Sequence, residues 1–153
     1  MAVYFCDSSA IVKFYVQEQS SAWMVALLDA ATVHHLYLAR ITGVEVVAAI
    51  CRRARHGDIA AADVAAALAQ FRQDLSGLYR IIEITPALVM RAMALAEMYA
   101  LRGYDAVQLA AAVEVQARVD TLGLPVLTLV SADEELNVAA RAQGLAVEDP
   151  NMH

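Results

Sequence analysis

Four acidic residues stand in otherwise apolar stretches of the sequence: Asp7, Glu45, Asp105 and Asp133. A carboxylate in apolar surroundings is costly unless a positive charge or hydrogen-bond donors meet it. Carboxylates that gather in one place also repel one another, and a divalent cation removes that penalty. Hard oxygen ligands suit Mg²⁺ or Mn²⁺. Because such an ion polarises a phosphodiester and activates water, these residues predict metal-assisted phosphodiester hydrolysis.

Each of the four acids lies where a predicted strand ends or a predicted helix begins. Asp7 follows the first predicted strand directly, and Asp133 follows the fourth after two intervening residues. Glu45 and Asp105 lie in early turns of predicted helices. In an open parallel sheet, ligands bind at the edge where the carboxyl ends of the strands meet the helix N-termini. The four acids are therefore expected to share one pocket.

Short apolar runs alternate with longer helical patterns along the chain. The predicted strands are 3–6, 35–39, 79–84, 125–130 and 145–147. The predicted helices are 10–16, 20–31, 41–55, 58–75, 85–101, 105–118 and 131–144. This alternation predicts an α/β fold, a three-layer α/β/α sandwich around a mostly parallel sheet of about five strands. Residues 1–148 are expected to form one domain, and residues 149–153 a short frayed tail.

The composition limits the class of protein. A net charge of −6 argues against a broad basic surface that would grip nucleic acid by its phosphates alone. The N-terminus lacks the features of a secretory signal, and no apolar run is long enough to cross a membrane. Cys6 and Cys51 have neither disulfide nor metal-ligand spacing and are expected to be buried free thiols. These features predict a cytoplasmic protein.

Four short segments surround the acids: Asp7-Ser8-Ser9-Ala10, Thr42-Gly-Val-Glu45, Tyr104-Asp105-Ala-Val-Gln-Leu and Ser131-Ala-Asp133. In this order, and over nearly the whole chain, they resemble the successive motifs of PIN-domain nucleases. The resemblance is closest to the small bacterial VapC-type toxins of toxin-antitoxin pairs.

This resemblance implies a Mg²⁺- or Mn²⁺-dependent endoribonuclease that acts on RNA, is usually a homodimer and is held inactive by a cognate antitoxin. The acids that match the family's metal-binding and catalytic positions are Asp7, Glu45, Asp105 and Asp133. Ser131 matches the small hydroxyl residue before the last aspartate. Ser8 and Ser131 are expected to support the ligands, although turn and cap roles fit them as well.

Structural roles are the alternative for each acid. Asp7 could cap the first helix, but the serines that follow it are available for that task. Asp105 could form an ion pair with Arg102. Thr42-x-x-Glu45 also fits a capping box, in which the glutamate bonds a backbone N–H.

The segment that begins at Ser131 fits a capping box too. There Glu134 would be the box glutamate, which leaves Asp133 to point into the site. An aspartate in a first helical turn is nonetheless common without any catalytic role.

Other functions also place an aspartate after the first strand of a parallel sheet. A response-regulator receiver or a haloacid-dehalogenase-like phosphatase would carry a lysine near the late strands, and here no lysine follows Lys13. The phosphatase would also carry an aspartate at the position of Ser9. A PIN-like module that binds RNA or protein without cleaving it remains the second hypothesis, and the intact acidic set argues against it.

Substrate and partner surfaces are less defined. Lys13, Arg40 and Arg52 are candidates for an RNA groove by their proximity in sequence to the acids. Arginines at the end of the third helix also complement its dipole. The apolar segments 23–28 and 58–71 fit a dimer face or an antitoxin groove, or packing on the sheet.

Overall fold

The computed structural model describes residues 1–16, 21–30 and 33–153. The strands in these residues are β1 Val3–Cys6, β2 His35–Ala39, β3 Arg80–Ile82, β4 Leu127–Val130 and β5 Ala146–Glu148. The helices are α1 Ser8–Tyr15, α2 Ser21–Asp29, α3 Thr42–Arg55, α4 Ala61–Gly77, α5 Pro86–Tyr99, α6 Gly103–Leu122 and α7 Glu134–Ala142, followed by a 3₁₀ helix at Pro150–Met152. Within the described ranges, no helix combines the length and apolar character that a membrane crossing requires.

The strands form one parallel sheet in the order β3-β2-β1-β4-β5. The chain builds outward from β1 to β3, crosses over, and then adds β4 and β5 on the other side of β1. Strand order therefore reverses between β1 and β4. The carboxyl ends of these two strands frame the crevice in which open α/β sheets bind ligands.

Helices cover both faces of the sheet because successive strand residues point to opposite sides. Cys6 packs with apolar residues of α1, α2, α3 and α4 on one face. Its neighbour Phe5 packs with apolar residues of α5, α6 and α7 on the other. The predicted three-layer sandwich around a parallel sheet of five strands is confirmed.

Several predicted boundaries move. Helix α6 begins at Gly103 and not after it, and the chain breaks instead at Ala100, whose φ of 53° is left-handed. Helix α4 begins at Ala61, three residues later than predicted, and continues through Gly77, two residues beyond its predicted end at residue 75. The predicted ends of the second helix, at residues 20 and 31, lie outside the described residues.

Two predicted environments are wrong. Cys51 is exposed because the buried stripe of α3 runs through Val46 and Ile50, whereas Cys6 is buried as expected. The C-terminal tail is packed against the domain and not frayed. The ring of His153 stacks on Trp23 with centroids 4.4 Å apart.

Ala100 provides a test of the backbone geometry. Ala100→Gly is expected to raise the free energy of unfolding by about 0.5–1 kcal/mol, because glycine adopts the left-handed region without the steric cost that a Cβ brings. The matched control is Ala94→Gly, at an exposed interior position of the same helix. That variant is expected to lose about 1 kcal/mol. Urea unfolding measures both, and a loss of stability in Ala100→Gly would contradict the assignment.

Candidate active site

Asp7 lies at the carboxyl end of the central strand and is 2% exposed. Its backbone N–H donates to the Val130 carbonyl of β4 at 3.1 Å. Its Oδ1 accepts hydrogen bonds from Ser9 Oγ at 2.6 Å and from the Ala10 N–H at 3.1 Å. Its Oδ2 accepts from Ser131 Oγ at 3.0 Å. The side chain is therefore held in one orientation by the first turn of α1 and by the residue that follows β4.

The N-terminal cap of α1 is Asp7 itself, so the expectation that the serines would take that role is wrong. Ser9 instead accepts from the Ala132 N–H at 2.9 Å, and Ser131 Oγ accepts from the Asp133 N–H at 3.1 Å. The two hydroxyls connect the first acid to the turn that carries the last. Ser131 thus bonds Asp7 as expected, whereas the second contact comes from Ser9 and not from the predicted Ser8.

Burial raises the pKa of Asp7 to about 7. The hydrogen bonds from Ser9, Ala10 and Ser131 favour the charged form, and repulsion from Glu45 disfavours it. Desolvation wins because the carboxylate has lost almost all contact with water. Near neutral pH the metal-free protein therefore holds this acid close to its titration midpoint, and a nearby cation would stabilise the charged form.

Glu45 lies in the first turn of α3 and contacts Gln108 of α6. Gln108 Nε2 donates to Glu45 Oε2 at 2.7 Å and to Thr42 Oγ1 at 2.9 Å. Gln108 is 1% exposed, and its Oε1 has no hydrogen-bond partner. The cap position of α3 is Ile41, with no side-chain cap bond, so the capping box proposed for Glu45 does not form. Its carboxylate is positioned by another helix.

Asp105 lies in the first turn of α6 with its side chain 19% exposed. Burial raises its pKa, and repulsion from Asp133 and Glu45 adds to that effect. Arg102 opposes the shift, with its Nε 3.8 Å from Asp105 Oδ2. The ion pair considered from the sequence is present, but it does not offset the cost of burial.

Asp133 caps α7, since its Oδ1 accepts from the Leu136 N–H at 2.9 Å. The predicted capping box is wrong, because Ser131 bonds Asp7 and leaves the cap position to Asp133. One oxygen of Asp133 therefore has a structural role.

Repulsion links the four acids in a chain from Asp7 to Glu45, from Glu45 to Asp105 and from Asp105 to Asp133. Neighbouring acids are therefore close enough to interact in pairs, but of the four only Glu45 lines the cavity next to the site, so the single shared pocket expected from the sequence is not formed by the residues that the structure describes. Among the described residues, no group of three or more His, Cys, Asp or Glu side chains is arranged to hold a metal ion directly. Mg²⁺ usually keeps several waters and is bound through one or two carboxylates plus substrate phosphates. The donor chemistry therefore fits such an ion without a closed protein cage.

A cavity of about 390 Å³ opens beside the acids, between α1 and α3. Its lining includes Glu45, Arg52 and Tyr104. The predicted RNA groove is only partly supported, because Lys13 is 8% exposed and Arg40 forms an exposed ion pair with Glu83. Of the three basic candidates, Arg52 is the one that lines this cavity.

The two apolar segments considered as partner surfaces, 23–28 and 58–71, differ in their burial. In α2, Leu27 and Leu28 are buried in the core, which favours packing over docking. In α4, Phe71 is buried, while most of the alanines before it are exposed.

Comparisons with known proteins agree with this architecture. The PIN domain model matches residues 4–142. The chain is 34% identical over 145 residues to the ribonucleases VapC45 and VapC49 of Mycobacterium tuberculosis, covering 95% of this chain and 93% of each relative. VapBC2 from Rickettsia felis, solved bound to a promoter DNA fragment, has a similar fold, with a TM-score of 0.61, 14% identity and coverage of 96% of this chain and 98% of that one. This chain belongs to the PIN domain family.

Proposed function

We propose that the chain is a metal-dependent endoribonuclease that hydrolyses RNA phosphodiester bonds, and the toxin of a toxin-antitoxin pair. The observation that carries the proposal is the Asp7 carboxylate, buried at the switch point of the sheet and linked by repulsion to further acids. A buried charge of this kind costs stability unless a cation meets it. The identity with two proteins named as ribonucleases supports RNA as the substrate class.

The four acids Asp7, Glu45, Asp105 and Asp133 form the proposed site for Mg²⁺ or Mn²⁺, in which one or two of them bind the ion directly and the others bind its waters. When bound, the ion supplies Lewis-acid polarisation of the phosphodiester and lowers the pKa of the attacking water. Ser9 and Ser131 hold the Asp7 carboxylate in place, and Ser8 lines the adjoining cavity. Since phosphate and these acids carry the same sign of charge, the ion also lowers the electrostatic repulsion that RNA meets at the site.

The proposal includes a cognate antitoxin, a homodimer and a cytoplasmic location, with residues 1–148 as one domain and 149–153 as its tail. A similar fold occurs in a toxin-antitoxin complex from Klebsiella pneumoniae. Helix α5 offers an exposed apolar face, with Met90 at 65% and Met93 at 60%, which suits a protein interface.

Cleavage is the direct test. The wild type is expected to cut RNA with Mg²⁺ or Mn²⁺ and to stop when the ion is chelated. Asp7→Asn and Asp105→Asn are each expected to lower the rate by about 100-fold or more, because the ion's contribution to charge stabilisation is several kcal/mol. Asp29→Asn, an exposed acid of α2, is the matched control and should cleave normally.

Gel analysis of a labelled oligoribonucleotide gives the rates, and thermal melts confirm that each variant folds. Equal activity in wild type and Asp7→Asn would refute the catalytic assignment. RNA binding by the wild type without cleavage under either ion would favour the non-cleaving module.

The buried acid also predicts a pH dependence of stability. The pKa of Asp7 is about 7 in the fold against an ordinary value of 3.8. Between these values the unfolded chain loses its proton first, so Asp7 lowers the stability of the metal-free fold as pH rises from about 4 to 7. Asp7→Asn removes this effect, because its amide stays neutral.

Asp7→Asn is therefore expected to be more stable than the wild type at pH 8 in a metal-free buffer, by up to a few kcal/mol, with the difference shrinking towards pH 4. Added Mg²⁺ at pH 8 should stabilise the wild type and have little effect on the variant. Thermal melts at several pH values measure both effects. A difference that does not change with pH would contradict the assignment of the titration to this residue.

A further inference from the structure

The cavity between α1 and α3 has an acidic end and a basic end. Glu45, Ala49 and Arg52 lie along one face of α3 and line it. Glu45 and Arg52 are two helical turns apart, which places their backbones about 10 Å apart along the axis. Within the described part of the chain Arg52 forms no ion pair, whereas the charge of Arg40 is engaged by Glu83. Arg52 thus places a cation on the cavity lining two helical turns beyond Glu45.

Between these ends the lining is apolar. Val12 of α1 and Ile41 at the cap position of α3 contribute to it, and Val44 and Tyr104 are 66% and 62% exposed. Tyr104 immediately precedes Asp105, so its exposed ring belongs to the helix turn that carries the acid. Aromatic side chains exposed beside basic groups are the usual platforms for unpaired bases, which stack on them by their faces.

We propose that this cavity binds one unpaired nucleotide next to the scissile phosphate, with its base stacked on Tyr104 and a neighbouring phosphate held by Arg52. The proposal rests on the function proposed above, since the acidic end is where the scissile phosphate would lie. A volume of about 390 Å³ suits one nucleotide and not a duplex. A base inside a duplex has both faces covered by its neighbours and could not stack on Tyr104.

An RNA-binding assay tests the subsite, and a separate cleavage assay tests the proposed nuclease activity. The probe is a short unstructured oligoribonucleotide. Its binding to protein in the Asp7→Asn background is measured by fluorescence anisotropy in the presence of Mg²⁺. Tyr104→Ala is expected to weaken binding by about 5- to 100-fold, and Tyr104→Phe by less than about 2-fold, because the ring and not the hydroxyl supplies the stacking. Equal losses in the two variants would overturn the stacking assignment.

Arg52→Gln is expected to weaken RNA binding. It should also reduce the slope of log Kd against log salt concentration by about 1, the value for one lost phosphate contact. Arg55→Gln is the matched control, because Arg55 lies in the same last turn of α3 and its exposed side chain is outside the cavity lining. A salt dependence that falls equally in both variants would assign Arg52 to the general charge of the helix end and overturn the phosphate contact.

Cleavage by the Tyr104 and Arg52 variants is measured with Asp7 unchanged. Normal cleavage and binding in Tyr104→Ala would refute the subsite and leave the nuclease proposal standing. Weakened binding in Tyr104→Ala, in a protein that does not cleave RNA under any ion, would support the subsite and refute the nuclease proposal.

The buried side chain of Gln108 lies between Glu45 and Thr42, and its Nε2 donates a hydrogen bond to each. The charge of Glu45 requires the amide nitrogen to face it, which leaves the unpartnered Oε1 on the other side. A buried acceptor without a partner costs free energy, and a methionine of similar length would avoid that cost. We infer that Gln108 is a positioning residue that orients the Glu45 carboxylate towards the ion.

Gln108→Met is expected to weaken Mn²⁺ binding by about 10- to 100-fold, the usual effect of losing a group that orients a metal ligand. Gln116→Met on the same helix is the matched control, since its amide bonds Asp120 and the Leu127 backbone. Calorimetric titration with Mn²⁺ measures affinity independently of cleavage, and Gln108→Asn, too short to reach Glu45, should behave like Gln108→Met. Wild-type affinity in a folded Gln108 variant would overturn the inference.

Discussion

One buried carboxylate at the end of the central strand is the constraint on which the site depends. Asp7 can be placed there because β1 lies between β2 and β4, so that both β4 and the first turn of α1 supply hydrogen-bond donors. The same hydroxyls bond the Ala132 and Asp133 backbone. In surroundings of low polarity such bonds strengthen one another. Fixing the first acid therefore fixes the turn that carries the last.

Two buried amide side chains, Gln108 and Asn137, contact the site at a cost to the free energy of folding. Among the described residues, the buried side-chain atoms without a hydrogen-bond partner are Gln108 Oε1 and Asn137 Oδ1. The nitrogen of each amide bonds a part of the site, Glu45 in one case and the Ser131 carbonyl at 2.9 Å in the other. Each unpartnered oxygen costs about 1–3 kcal/mol. These costs concentrate around the acids, as expected where chemistry and not packing determines the residue.

The sequence was sufficient for the order of the elements and for the edge of the sheet at which Asp7 lies, because apolar periodicity and the crossover rules are local signals with few solutions. It was insufficient for the caps. Aspartate and serine are nearly equivalent as caps, and the choice at Asp7 depended on Ser131, far away in the chain, which bonds its other oxygen. The role of Gln108 was hidden for the same reason, since its partner lies on another helix. The packed tail likewise depends on a contact between Trp23 and His153.

An acidic protein and RNA carry the same sign of charge and repel each other. The net charge is −6, and the proposed catalytic edge is the place where the described carboxylates repel one another most clearly. Long-range attraction cannot bring a polyanion to this edge, so affinity has to come from short-range contacts together with the ion. A cavity with Arg52 at one end and an aromatic ring at its rim offers such contacts. Because stacking is insensitive to charge, it can hold RNA beside carboxylates that would otherwise repel it.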